Sequence, residues 1–304
     1  MSFKPIYKVL DWIPNEKIQS NIPSLCENSR GLSFIEPHLK LLTIKDWVYL
    51  SNNPNAITFF EKYINNKEYF DWFNLSFNEN AIHLFEKYPE KLDWDCISQN
   101  SSAIRLIERN LDKINIRYLC RNSGAMHIIQ NNMDKVDWRW LSYNKNAIHL
   151  LEQNLDKVSW MGLSSNVNAI HILRNNIDKI NHYYISQNPN ASPLLEEYPE
   201  LIDWYVISRN SSAIKIIEKN LNKINWEELC HNRAAIHILK NNQDKICWYA
   251  LISNPSIFTF DQTAMMNQCK DFAEELAAYV FHPERLLNIC QTYKIEFYAL
   301  LDVY

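Results

Sequence analysis

An asparagine returns along this chain at Asn53, Asn78, Asn100, Asn122, Asn144, Asn166, Asn188, Asn210, Asn232 and Asn254, and from Asn78 onward every step is 22 residues. The step from Asn53 to Asn78 is 25. A fixed period of this size means stacked structural repeats, each too small to bury its own apolar face and dependent on its neighbours for a core. It also argues against an ordinary enzyme.

Each repeat keeps step with its asparagine. Three residues before it stands Leu or Ile, as in Leu50, Leu141 and Ile185, usually followed by Ser or Cys. Six before it stands Trp at Trp47, Trp72, Trp94, Trp138, Trp160, Trp204, Trp226 and Trp248, with Ile116 and His182 as substitutes. The pattern reads D-W-x-x-L-S-x-N-x-N-A-I-H-L-L-E-K-N-L-D-K-I. A degenerate copy at Leu25, Cys26, Asn28, Gly31 and Leu32 brings the count to eleven repeats.

Local chemistry predicts two short helices per repeat. Asp46, Asp71, Asp93, Asn115, Asp137, Ser159, Asn181, Asp203 and Asn225 precede the Trp position, and such side chains accept hydrogen bonds from free amides at a helix start; only Cys247 breaks the rule. Helix A then carries Trp, Leu and Ser on one face over barely two turns. The repeated Asn is expected to end helix A in the left-handed conformation that Asn tolerates, and the following Pro, Ser or Asn to cap helix B. Helix B turns residues such as Ala147, Ile148, Leu150 and Leu151 inward. Helices this short are marginal alone in water, so stacking supplies the stability. The tryptophans read as core, and the asparagines as a structural ladder.

Composition narrows function mostly by exclusion. Three glycines in 304 residues disfavour phosphate-cradling loops, which need close backbone approach. Met1 to Asp11 mixes charges with single apolar residues, and no apolar run approaches the ~20 residues of a spanning helix. A soluble intracellular protein, with no membrane partner, is the expectation. Seven cysteines, with Cys26, Cys120 and Cys230 at the Ser position, fit reduced packing residues.

Five histidines, His83, His127, His149, His171 and His237, share one repeat phase. Neighbouring repeats at helix-packing distance, roughly 8 to 10 Å, place successive rungs too far apart to share a zinc ion, whose ligand nitrogens lie ~2 Å away. The reading is a solvated or hydrogen-bonded stripe. His282, Glu284 and Cys290 lie close together in the sequence, but Pro283 there reads as a helix break and start. No catalytic residue, cofactor site or metal site is assigned.

The run Asp137-Trp138, Leu141-Ser142, Asn144, Asn146-Ala147-Ile148-His149-Leu150-Leu151-Glu152, Asn154, Asp156-Lys157-Val158 resembles the short Trp- and Asn-marked repeats abundant in giant DNA viruses of amoebae, the Mimivirus-like repeat family. Leu10-Asp11-Trp12-Ile13-Pro14 and the stretch from Glu275 to Leu286 resemble the ends of those proteins. The resemblance implies an architecture and a viral source, hence host cytoplasm or virion, with no activity to carry over.

Function is expected at positions the repeat leaves free, one, two and five places after the Trp position. Arg117, Tyr118, Arg121, Arg139, Trp140, Tyr143, Tyr183, Tyr184, Tyr205 and Arg209 are the candidate partner-binding residues, since aromatics and Arg are enriched at interface hot spots. The first reading is a non-enzymatic protein-protein interaction scaffold. The alternative is nucleic-acid binding through Arg117, Arg121 and Arg139 with stacking by Trp140 and the tyrosines, weakened by a net charge of -4. Partner identity and oligomeric state are not legible. The expected architecture is an all-α solenoid of about eleven 22-residue helix-turn-helix repeats spanning 22–257, with an N-terminal cap over 1–21 and a C-terminal helical cap over 258–304.

Overall fold

A computed structural model describes residues 5–62, 70–280, 282 and 284–288. It is an all-α solenoid. The first helix of each repeat begins at the Trp position and is short, as in Trp94–Ser98, Trp138–Leu141, Trp160–Ser165 and Trp226–His231. Asp71, Asp93, Asn115, Asp137, Ser159, Asn181, Asp203 and Asn225 each accept a backbone N–H at that helix start. Cys247 makes no such bond. Asp46 departs from the expectation: its helix, Ile44–Asn52, starts earlier at Thr43, and the Asp46 carboxylate reaches back to the Thr43 N–H and hydroxyl, closing a capping box. A second short helix follows, such as Ile148–Glu152 or Ile170–Arg174, and in many repeats the linker winds into one 3-10 turn, as at Leu111–Lys113.

The asparagine is the centre of the repeat, though its backbone differs from the expected left-handed form. At nine of the eleven positions φ lies between -84° and -69° with ψ between 107° and 119°. This extended conformation lets the side chain do three things. At Asn144, Oδ1 accepts the Asn146 N–H at 3.0 Å, while Nδ2 donates to the carbonyls of Cys120 at 2.9 Å and Asn122 at 3.0 Å, both one repeat back. The first bond is an Asx turn, so the asparagine itself, rather than the residue after it, caps the entry to helix B. The other two bonds are a lateral ladder.

A second ladder accompanies it. Asn55, Asn80, Asn146, Asn168 and Asn190 donate to a carbonyl of the preceding repeat. The helix A serine acts as a relay: Ser142 Oγ donates to the Trp138 carbonyl at 2.7 Å and accepts the Ser159 N–H of the next repeat at 2.9 Å. Such buried polar groups would be costly unpaired. Each is held by the neighbour, which explains why no repeat stands alone.

The ladder closes. Asn28 donates to the carbonyls of Ile252 at 2.8 Å and Asn254 at 3.0 Å, repeating the geometry that Asn254 makes with Cys230 and Asn232. The first repeat thus uses the last as its predecessor. Ile22–Glu27 packs on Trp248–Ile252 as well as on Ile44–Asn52. The Leu10 N–H donates to the Ile257 carbonyl at 2.9 Å. Leu25, Cys26 and Asn28 at one end, and Leu251 and Ile252 at the other, are fully buried. All eleven asparagines are buried.

Closure changes the role foreseen for the termini. The expected caps over 1–21 and 258–304 presuppose two open apolar ends; here each end is covered by the other. One compact unit runs Leu10–Ile257, taking in the helix Asn15–Gln19. The second joins strand β1 (Tyr7–Val9) antiparallel to strand β2 (Phe258–Phe260), with Lys8 opposite Thr259 and the Tyr7 and Phe260 rings stacked at 5.3 Å. Helix Gln262–Val280 follows β2. No helix among the described residues is long and apolar enough to cross a membrane.

The tryptophans differ from the expected core role. Only Trp47 of the series is fully buried; the other seven are half-buried. Five of the seven carry on their outer face a lysine from the same repeat, 19 residues on: Lys113 over Trp94 at 5.2 Å, Lys157 over Trp138 at 5.0 Å, Lys179 over Trp160 at 4.7 Å, Lys223 over Trp204 at 4.9 Å and Lys245 over Trp226 at 4.4 Å. These are cation-π pairs. Trp248 takes Lys17 from the start of the compact unit, at 5.6 Å, another mark of closure.

Candidate interaction surface

Helix A residues two and five places after the Trp position, with Tyr183 and Tyr205 from one place after it, gather on the concave side of the closed ladder. The geometry requires it. Tyr143 and Tyr184 belong to repeats two steps apart, yet their ring centroids are 6.2 Å apart, closer than two helix-packing steps allow on a flat or convex face. Across the Asn28 repeat, burial and then the nearby Tyr49 hydroxyl push the Tyr249 hydroxyl upward. Glu27, Arg209, His231 and Ser253, one from each of four successive repeats around the closure, line one pocket of about 290 Å³.

The central stretch is a connected row. The Arg121 guanidinium lies over both Trp140 and Tyr143 at 5.2 Å, Trp140 and Tyr143 are 6.1 Å apart, and Tyr184 continues to Tyr183 at 5.2 Å. Gly162 makes the row continuous. A Cβ there would lie 2.6 Å from Ser142 Cβ and 3.1 Å from Tyr143 Cδ2, so only glycine lets the Asn166 repeat sit close enough for Tyr143 to reach Tyr184. Burial, then the neighbouring Tyr184, pushes the Tyr143 hydroxyl upward.

Tyr183, Tyr205 and Arg209 line the adjoining pocket, of about 460 Å³, with Gln187 and Glu228. The Tyr205 hydroxyl donates to Glu228 Oε1 at 2.8 Å, and Arg209 lies 3.8 Å from Oε2. Of the ten residues expected to bind a partner, seven therefore fall in one row: Arg121, Trp140, Tyr143, Tyr184, Tyr183, Tyr205 and Arg209. Arg117 and Arg139 do not join it. Both hold Asp137, at 3.0 and 3.1 Å, where burial alone would raise the carboxyl but the Arg139 hydrogen bonds and both guanidinium charges bring it below its usual range. Tyr118 is half-buried and adds no ring contact.

Glu228, Gln187 and Gly162 were not foreseen. The signal for Gly162 was present: a glycine in a short helix A, at the position where other repeats carry Tyr184, Trp140 or Tyr118.

His231 borders the pocket of Glu27 and Arg209 and contacts Ser253 Oγ at 2.9 Å through Nδ1. Burial, then the Arg209 charge, holds its imidazole below 6.5. A folded-state value below the unfolded one means that the unfolded chain binds the proton more readily, so stability is lost as pH falls from 6.5 through the folded value. His231→Gln should remove that component. Denaturation midpoints of wild type and variant between pH 7.5 and 5 check it, and parallel pH profiles contradict it.

Elsewhere the chemistry is quiet. His83, His127, His171 and His237 pair with Glu61, Glu108, Glu152 and Glu218 of the preceding repeat, at 3.0, 3.0, 2.5 and 2.8 Å, and His149 with Gln130 at 3.3 Å. Among the described residues no three His, Cys, Asp or Glu side chains gather to hold a metal. Burial pushes the Cys26 thiol up to about 12 and those of Cys96 and Cys230 to about 11, far from nucleophilic thiolates. His282 is exposed, and Cys290 lies outside the described residues.

Comparison with protein-family models, with curated proteins and with solved structures gave no match to this chain. Function rests on the surface itself. Its row of rings and guanidinium offers apolar area with polar edges, the composition of interface hot spots.

Proposed function

We propose that this chain is a non-enzymatic scaffold that holds another protein along its concave face. The observation that carries the reading is the unbroken row Arg121, Trp140, Tyr143, Tyr184, Tyr183, built at variable positions of an otherwise repetitive frame. These rings are rigid and already packed against one another, tilted or edge to face, so little side-chain entropy is lost on binding. An extended polypeptide segment laid across several repeats suits the row, with the Tyr205 and Glu228 pocket taking a polar or cationic side chain.

The nucleic-acid alternative draws less support. Arg117 and Arg139 share Asp137, which cancels one of their two charges, and Arg209 lies beside Glu228, so the surface offers phosphates less positive charge than its arginine count suggests. The reading extends to a source and a setting: the resemblance of Asp137–Val158 to giant-virus repeats supports a viral origin, with action in the host cytoplasm or the virion.

Selection of random peptides displayed on phage against the whole protein tests the proposal. Enriched peptides should lose binding to Trp140→Ala and Arg121→Ala, which remove the centre of the row, by about tenfold or more each. Equal binding to wild type and both variants overturns the assigned face. A salt titration with single-stranded oligothymidylate forms the second arm; binding at low salt that falls steeply with added salt would favour the nucleic-acid reading.

A further inference from the structure

One repeat breaks the Trp-Lys pairing in a telling way. The groove outside Trp204 is bounded by the linker of the preceding repeat and by the end of helix B. Where Trp204 fills its floor, with Ile202, Ile216, Asn220 and Lys223 around it, the groove measures about 310 Å³. The equivalent groove of the Asn122 repeat has Ile116 on its floor, with Ile114, Ile128, Asn132 and Lys135 at the matching positions; it runs on over Asp95, Asn115 and Arg117 and measures about 850 Å³ in all.

Lys135 occupies the place from which Lys113, Lys157, Lys179, Lys223 and Lys245 cover their rings, and has Ile116 in place of a ring. Besides the degenerate Asn28 repeat, which has Ile22 at the Trp position, one more repeat lacks Trp, and it differs. There His182 replaces Trp and Leu201, which is buried, replaces the lysine, so both members of the pair are gone. In the Asn122 repeat the cation remains, the ring is missing and the space stays open. Leu111, 54% exposed, adds an apolar rim.

We propose that the Ile116 groove is a binding site for an indole, the tryptophan side chain of a partner polypeptide, which would stack beneath Lys135 as the protein's own tryptophans stack beneath theirs. The occupant's chemistry is read from those equivalent grooves. Lys135 supplies the cation-π partner, Ile114, Ile116 and Ile128 the apolar floor, and Asp95 and Asp112 on the groove wall face the polar edge where an indole N–H donates. This site stands apart from the concave row, so either can fail without the other.

The test uses the full chain labelled at its isoleucine methyl groups, titrated with N-acetyl-tryptophanamide and, separately, N-acetyl-leucinamide. The tryptophan probe should shift Ile114, Ile116 and Ile128 in a saturable manner. Lys135→Met should weaken it about two- to fivefold. Ile116→Trp, which restores the common repeat, should abolish binding and raise the melting temperature. Equal binding of the leucine probe, no saturable shift, or unchanged binding to Ile116→Trp would each overturn the site. Self-association of the free protein that Ile116→Trp abolishes would give the groove to a second copy and overturn a foreign partner.

Discussion

Asn144→Ala should destabilise the protein by about 3–5 kcal/mol, because two buried hydrogen bonds and one part-buried bond vanish and the carbonyls of Cys120 and Asn122 lose a buried donor. The more discriminating change is Asn144→Asp. Were the residue only a cap for helix B, aspartate would serve as well, since the two are near equal at helix starts. In the ladder it should be worse than alanine at neutral pH: a carboxylate still accepts the Asn146 N–H but faces two carbonyl oxygens with no proton to offer. Such a carboxyl has its folded-state value raised, so the native state binds the proton more readily. The extra penalty should therefore shrink as pH falls towards 4, when a protonated acid donates to one carbonyl. Denaturant midpoints of the three proteins at pH 7 and pH 4.5 check both claims. Aspartate equal to wild type at pH 7 would reduce the asparagine to a cap.

Gly162→Ala is the second large effect, and its sign runs against helix propensity. In an exposed helix the change would stabilise by roughly 1 kcal/mol. Here the added Cβ would meet Ser142 Cβ at 2.6 Å and the Ser142 carbonyl carbon at 3.2 Å, and Ser142 is pinned by its bonds to Trp138 and Ser159. Overpacking of this kind costs about 1–3 kcal/mol, so the net result should be destabilisation. The repeats must also part locally, which separates Tyr143 from Tyr184 and should weaken peptide binding along the row. A variant as stable as wild type, with binding intact, would contradict the packing account.

The period of the asparagines was sufficient for the repeat, its two helices and nearly all of the helix A caps, because capping side chains and a one-faced apolar pattern act locally. What it left out is collective. Closure depends on small rotations between repeats accumulating until Asn28 meets Asn254, and no single repeat encodes that sum. The backbone of the asparagine escapes local reading for a related reason: its side chain serves the repeat before it, and the extended conformation that allows this has no local signature. Local pattern points the tryptophans to the core, because the lysines that cover their outer faces sit 19 residues away. The candidate row was found by its variation, yet variation did not distinguish Arg121, free to stack on Trp140, from Arg117 and Arg139, bound to Asp137.

Closure of the ladder is the central claim, and a distance measures it. Spin labels on exposed Glu27 and Arg209, introduced through keto-bearing residues so that the native thiols stay unmodified, should give the same short separation as labels on Arg121 and Gln187. Around the closed ladder both pairs are three repeats apart. In an open solenoid the Glu27 and Arg209 labels are eight repeats apart, roughly 60–80 Å at helix-packing spacing, while the Arg121 and Gln187 pair is unchanged. Matching distance distributions are the expected result; a Glu27 to Arg209 separation far longer than the control would show that the ladder is open.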